Sequence, residues 1–123
     1  APMQPCWVWA DPVSLEQVLN NLVRNALDAL SHAATPDANV EITLRTDAKQ
    51  ALLTVQDNGP GVDAATAQRM FEPFFTTKTD GMGLGLPLCA TLMERMGGNL
   101  EYVHSPRGAC FVMHLPLASD DDF

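Results

Sequence analysis

Cations are scarce in this chain: seven lysines and arginines stand against fifteen acidic residues, for a formal net charge of −8 over 123 residues. A field of that sign repels nucleic acid and anionic membrane, and no basic cluster offsets it. Neither nucleic acid nor direct contact with a membrane is therefore expected. Cysteine is nearly absent as well. Cys6, Cys89 and Cys110 are odd in number, widely spaced and never in a CxxC pair, which excludes a disulfide framework and a structural zinc site. Each sits among apolar residues and is expected to pack as a small hydrophobe. No apolar run approaches the ~18 residues of a membrane span, and no signal peptide is visible. There are no repeats, linkers or low-complexity segments. What remains is one ordinary domain, with apolar residues at 46% and charged residues at 18%. The chain opens Ala1-Pro2 without an initiator methionine, as expected of a piece of something longer.

The strongest pattern is Leu15 to Leu30, LEQVLNNLVRNALDAL. Leu15, Val18, Leu19, Leu22, Val23, Ala26, Leu27 and Leu30 recur at helical spacing and predict an amphipathic helix lying on a core, with Ser14 placed to cap it. Asn21 and Asn25 fall one turn apart along a margin of that stripe, with Asp28 beside them. Asn competes for backbone hydrogen bonds and is a mediocre helix former, so the pair either bonds a neighbouring loop or meets a ligand.

Before this helix, Cys6 to Trp9 reads as a short first strand. After it, Ser31 to Asn39 reads as loop, and Val40 to Thr46 alternates as a strand paired with Ala51 to Val55 across a turn at Asp47 to Gln50. Gln56 to Asp63 reads as loop, Ala64 to Met70 as a short helix, and Phe71 to Thr79 as a structured loop broken by Pro73. Gly81-Met82-Gly83-Leu84-Gly85 opens a second amphipathic helix through Leu84, Leu88, Leu92, Met93 and Met96, which ends at Gly97-Gly98. Leu100 to His104 and Cys110 to Leu117 close the chain as a hairpin. The reading is α+β: a two-layer α/β sandwich, its mixed, mostly antiparallel sheet covered on one face by about three helices. Residues 1–118 form the single domain, and 119–123 are an acidic, loose tail.

Two glycine patterns carry the chemistry. Asp57-Asn58-Gly59-Pro60-Gly61 follows a strand, so backbone can approach a ligand closely beside the Asp57 carboxylate, although a bare turn has the same composition. Gly81-x-Gly83-x-Gly85 leads into a helix, where free N–H groups favour an anion. There is no G-x-x-x-x-G-K-[ST], the spacing is not GxGxxG after a strand, and the His-Arg-Asp and Asp-Phe-Gly signatures of eukaryotic-type kinases are missing.

Taken in order, these stretches resemble the catalytic ATP-binding domain of bacterial sensor histidine kinases, within the Bergerat-fold superfamily. Asn21 to Ala29 resembles the N box, Asp57 to Gly61 the first glycine box, Phe71 to Lys78 the F box, and Gly81 to Leu86 the second glycine box. FEPFFTTK…GMGLGL, with its short lid, resembles kinases of the nitrogen-fixation and dicarboxylate-sensing type, except that Met82 stands where many relatives have Thr. The resemblance implies ATP and Mg²⁺ as cofactors. Asn25 would hold Mg²⁺ through its amide oxygen, and Asn21 would face the phosphates. Asp57 would accept the adenine 6-amino proton, with the base lying against Gly59 and Gly61. Gly81, Gly83, Leu84 and Gly85 would wrap the phosphates under a lid formed by Phe71 to Asp80, with Phe71, Phe74 and Phe75 as its anchors. Lys78 is either a surface lysine or a γ-phosphate contact.

The implied activity is that of a protein-histidine kinase, in which this chain is the ATP-binding half. His32, His104 and His114 lack an acidic follower and read as loop or strand-surface residues rather than acceptors. The implied partners are therefore ATP, the histidine-containing dimerisation domain of the same kinase and a downstream response regulator. The fragment itself is expected to be monomeric and cytoplasmic, whether or not its parent is membrane-bound. The alternatives are a free-standing serine kinase or anti-sigma-type regulator, and a non-catalytic nucleotide-sensing module. Gyrase-like hydrolysis is disfavoured, because the water-activating Glu of those enzymes is replaced by Asn21.

Overall fold

The computed structural model describes residues 8, 10–72, 85–106 and 108–117. Its elements are α1 (Pro12–His32), β1 (Val40–Thr46), β2 (Gln50–Asp57), α2 (Ala64–Arg69), α3 (Gly85–Arg95), β3 (Asn99–Ser105) and β4 (Gly108–Pro116). The strands form one sheet in the order β1-β2-β4-β3, and every ladder among the described residues is antiparallel. Of the expected first strand, only Val8 is described, and it makes an isolated antiparallel bridge to Leu117.

Helix α1 begins earlier than its apolar stripe suggests. Asp11, not Ser14, is the N-cap, and its carboxylate accepts from Val13 N at 3.3 Å and from Ser14 Oγ at 2.8 Å. Pro12 explains the shift: it lacks an N–H and is preset for the first helical position, which leaves the residue before it to cap. The helix also runs on through Ser31 and His32, which the sequence reading placed in a loop. α3 stops where expected. Gly97 takes φ +80° and Gly98 N donates to Met93 O at 2.9 Å, a Schellman closure that favours glycine.

The core lies between one face of the sheet and the helices. Val18 and Leu22 from α1, Cys89, Leu92 and Met93 from α3, and Val55, Phe111, Met113 and Leu115 from the sheet form it. Strand alternation puts Val55 and Asp57 on the same, helix-facing side. Two described residues of the expected stripes are exposed instead of buried. Leu27 is 55% exposed, and Leu88 is exposed while Cys89 takes the buried place on α3. Cys89, Leu92, Met93 and Met96 are the set that keeps one helical phase, and Leu88 sits at its edge.

The β1–β2 turn is held by Asp47, whose Oδ1 accepts from Lys49 N and Gln50 N, each at 2.8 Å. Those two backbone bonds hold its carboxyl below the usual range.

Candidate nucleotide site

Asp57 ends β2, on the helix-facing side of the sheet. The sequence reading began a loop at Gln56, but both residues belong to the strand, because β4 runs alongside: Gln56 pairs with Cys110, and Ala109 N donates to Asp57 Oδ1 at 3.2 Å. Gly59 N donates to the same oxygen at 2.9 Å. Asp57 is only 4% exposed, the one buried polar or ionisable residue outside the hydrophobic core among the described residues. Both of its bonds fall on Oδ1, while no buried side-chain N or O atom is left without a partner. Oδ2 therefore reaches the surface with its lone pairs unclaimed. A carboxylate fixed through one oxygen and open at the other is built to accept a hydrogen bond from outside the fold.

The glycines around it act by absence. A Cβ on Gly59 would stand 3.2 Å from Asp57 Oδ1 and 3.3 Å from Leu30 Cδ2, so this loop lies flat against both the carboxylate and the end of α1. Gly61 takes φ +77°, a conformation that strains other residues. In the sequence Gly108 is only a turn residue, between Leu100 to His104 and Cys110 to Leu117. It lies against the backbone and side chain of Asp57 and against Gly59 N, where a Cβ would overlap the Asp57 carbonyl. Its signal in sequence is merely a glycine after Pro106-Arg107, as hairpin turns commonly carry. Asn58 was also passed over within its box. Its side chain accepts from Asn39 N at 2.8 Å and donates to Asp37 O at 2.9 Å, which ties the α1–β1 connection to the site.

Asn21 and Asn25 lie half-buried on α1, on the side where α3 packs. Asn21 Nδ2 donates to Gln17 O at 3.1 Å, and the Asn21 side chain also hydrogen-bonds Cys89. Burial pushes the Cys89 thiol up to about 11, and the bond to Asn21 only partly opposes that. Cys89 and Cys110 are both free and buried, as expected of small hydrophobes. Gly85 opens α3 at an exposed position, and no described atom beyond its chain neighbours and its own helix lies within 4 Å of where a Cβ would point. Phe71 packs against the core, in keeping with an anchor. Phe74, Phe75, Lys78, Gly81, Met82, Gly83 and Leu84 lie outside the described residues, as do Cys6, residue 118 with the 119–123 tail, and the side chain of His32.

His104 is exposed on β3. His114 is held on the opposite face of the sheet from the helices, with Nε2 3.0 Å from Glu101 Oε1 and Nδ1 3.3 Å from Gln50 Oε1. His32 is the last residue of α1 rather than a loop residue.

Among the described residues no helix is long and apolar enough to cross a membrane, and no group of three or more His, Cys, Asp and Glu could hold a metal ion.

The C4-dicarboxylate transport sensor protein DctB of Pseudomonas aeruginosa is 43% identical over 117 residues, covering 93% of this chain and 19% of that protein. The C4-dicarboxylate transport sensor protein DctS of Rhodobacter capsulatus is 35% identical over 116 residues, covering 92% of this chain and 17% of that protein. The chain thus spans under a fifth of the length of these two relatives. Among solved structures, the nucleotide-free catalytic domain of histidine kinase ThkA superposes with a TM-score of 0.76 at 33% identity, covering 87% of this chain and 68% of that one. The family profile described as histidine kinase-, DNA gyrase B-, and HSP90-like ATPase matches residues 10–119, which hold the asparagine helix, the Asp57 loop and the closing hairpin alike. A match of that length, over a fold shared with a histidine kinase catalytic domain, means that this chain belongs to the histidine kinase-, DNA gyrase B- and HSP90-like ATPase family.

Proposed function

We propose that this chain binds MgATP and presents its γ-phosphoryl group to a histidine on a separate dimerisation domain of a sensor kinase. The observation that carries the reading is Asp57: a buried carboxylate pinned by two backbone N–H groups through Oδ1, with Oδ2 left out of both bonds. An adenine 6-amino group is a donor of the right chemistry for Oδ2, and guanine offers a carbonyl there instead. Gly59, Gly61 and Gly108 let the loop and the closing hairpin pack tightly around Asp57, beside which such a base would lie. Asn21, Asn25 and Gly85 would then line the direction in which phosphates extend, with Lys78 to contribute from the lid and Gly81, Gly83 and Leu84 from the second glycine box.

A magnesium ion fits this donor set as a shared ion rather than a caged one. The Asn25 amide oxygen is a hard donor, and the remaining ligands would come from the nucleotide and water. When bound, the ion would neutralise phosphate charge that the net −8 of the chain otherwise opposes. The chain's own part is positioning: it fixes the base at Asp57 and holds α1 against α3 beneath the phosphates.

Transfer is favoured over hydrolysis because the position one turn before Asn25 is Asn21. Its amide cannot take a proton from water, and its Nδ2 is engaged with Gln17 O. The acceptor histidine would come from a segment such as the much longer relatives carry, with a response regulator downstream and the kinase portion in the cytoplasm.

Titration with a fluorescent ATP analogue tests the site. Asp57→Ala should lose roughly 1.5–3 kcal/mol of affinity, the worth of a hydrogen bond to a charged group. Asn25→Ala should weaken binding with Mg²⁺ present and leave it nearly unchanged in EDTA. Normal affinity in a folded Asp57→Ala protein would refute the adenine assignment. With γ-labelled ATP, the chain alone should take up no label, and an added cognate two-helix acceptor domain should become labelled at histidine. Label on serine, or strong self-labelling, would point to the serine-kinase alternative.

A further inference from the structure

β1 is an edge strand. It pairs with β2 on one side, and among the described residues nothing pairs with its other side. Soluble proteins protect such edges with lysine, proline, a bulge or an inward charge. The segment Val40–Thr46, VEITLRT, has no lysine or proline, and its register with β2 is unbroken. Its helix-facing residues are Val40, Ile42, Leu44 and Thr46, none charged. Ile42 is 51% and Leu44 36% exposed, because α1 lies over β2 more than over β1. Leu27 overlooks the same gap, and a groove of about 490 Å³ runs beneath it past Leu30, Ala34, Ala38 and Val40.

We propose that this edge pairs antiparallel with β1 of a second copy of the chain, about a two-fold axis through Thr43. The strand is self-complementary about that residue. Glu41 falls opposite Arg45 of the second copy, and Arg45 opposite Glu41. Ile42 falls opposite Leu44, and Val40 opposite Thr46. Within one copy neither charge has an opposite charge across the strand, since Glu41 faces Gln56 and Arg45 faces Leu52. Nor can the two reach each other, being four residues and so ~13 Å apart along the strand. The two-fold pairing gives both charges a partner, twice over, on the face away from the helices. On the other face it covers Ile42 and Leu44. Moving the axis to Leu44 would set Glu41 opposite Asp47, and parallel pairing in register would lay like charges side by side.

The helices leave room for this contact. An axis perpendicular to the sheet keeps both copies' helices on one side. Two α1 helices centred over the two β2 strands lie about three strand spacings apart, ~14 Å, against the 8–10 Å of helices in direct contact. The slot between them is what Leu27, Ile42 and Leu44 of both copies fill. Each copy carries −8, so the association is weak, and the monomer expected of the isolated fragment persists at low concentration.

Sedimentation equilibrium on the whole 123-residue chain, from micromolar to millimolar at physiological salt, tests this. The wild type should shift from monomer to dimer. Glu41→Arg and Arg45→Glu should each weaken the dimer by about tenfold or more, since two attractive cross-strand pairs become repulsive. An equimolar mixture of the two variants should dimerise again, because each then meets its complement, and this also shows that both are folded. Glu41→Arg reduces the net negative charge, so an effect of overall repulsion alone would strengthen its association instead. Thr43→Cys should form a disulfide across the axis, where facing strand residues lie within bridging distance, and Thr54→Cys on central β2 should not. A wild type that stays monomeric throughout, a Glu41→Arg protein that associates as well as wild type, or a mixture that remains monomeric would overturn the proposal.

Discussion

The two margins of α1 invert what side-chain polarity alone would arrange. The margin bearing Asn21 and Asn25 is half-buried against α3, whereas the opposite margin bearing Leu27 lies open above β1. Between them runs the ridge of Val18, Leu22 and Ala26, which is buried on the sheet. What separates the margins is the neighbour each meets. α3 follows the glycine turn and packs beside the asparagines, while the sheet ends with β1 on the other side. A polar margin that is packed and an apolar margin that is not are each a departure from the ordinary amphipathic helix. The first is where the nucleotide site is proposed, and the second is where the second copy is.

The comparison breaks most visibly at the shared ridge. Leu22→Ala should cost about 2–5 kcal/mol in urea denaturation, since the side chain is fully buried and its removal leaves a cavity both margins depend on. A loss within that of a surface substitution would mean that α1 is not seated on the sheet as described.

On the packed margin, Cys89→Ala should cost about 1–3 kcal/mol, because it empties a buried position and deprives Asn21 of a partner. The same thiol gives a pH signature. Burial raises it from an ordinary 9.0 to about 11, so the folded chain keeps a proton that the unfolded chain releases. Its contribution is complete below about pH 9 and is lost as pH rises towards 11, so stability should fall across that window more steeply in wild type than in Cys89→Val. Equal slopes would show that the thiol is not held as described.

At the start of the helix, Asp11→Ala should cost about 1 kcal/mol, the usual worth of an N-cap, and Ser14→Ala should cost less. The reverse order in thermal melts would restore Ser14 as the cap. The smallest effect belongs to the open margin. Leu27→Gln should change the stability of the dilute monomer by no more than about 0.5 kcal/mol, as surface substitutions do. A larger loss would mean that Leu27 is covered within a single copy.

The local patterns were legible to a degree that follows from how local they are. β1 was read to the residue, and both long helices were placed, because periods of 2 and 3.6 depend only on neighbouring positions. The misreadings sit where a distant segment decides. Gln56 and Asp57 are strand because β4, some fifty residues on, lies beside them. Gly108 serves the Asp57 site from the final hairpin, and nothing near it in the chain announces that. Leu27 and Leu88 look like core in their own helices, yet no described segment covers them. The Asp11 cap was missed for a local reason instead: Pro12 moved the start of the helix forward, and the first apolar residue is a poor marker of an N-terminus.

Periodicity and turn chemistry were enough to reach the α+β class, because they rest on spacings within a few positions, while the family and the candidate residues came from the resemblance of the asparagine, aspartate and glycine boxes, taken in order, to those of known kinases. Tertiary structure alone decided which Asp57 oxygen is free, which glycine makes room beside it, which margin of α1 is covered and which strand is left at the edge. These follow from how segments far apart in the chain pack together, and burial, hydrogen-bond satisfaction and steric fit are properties of that packing rather than of any one stretch.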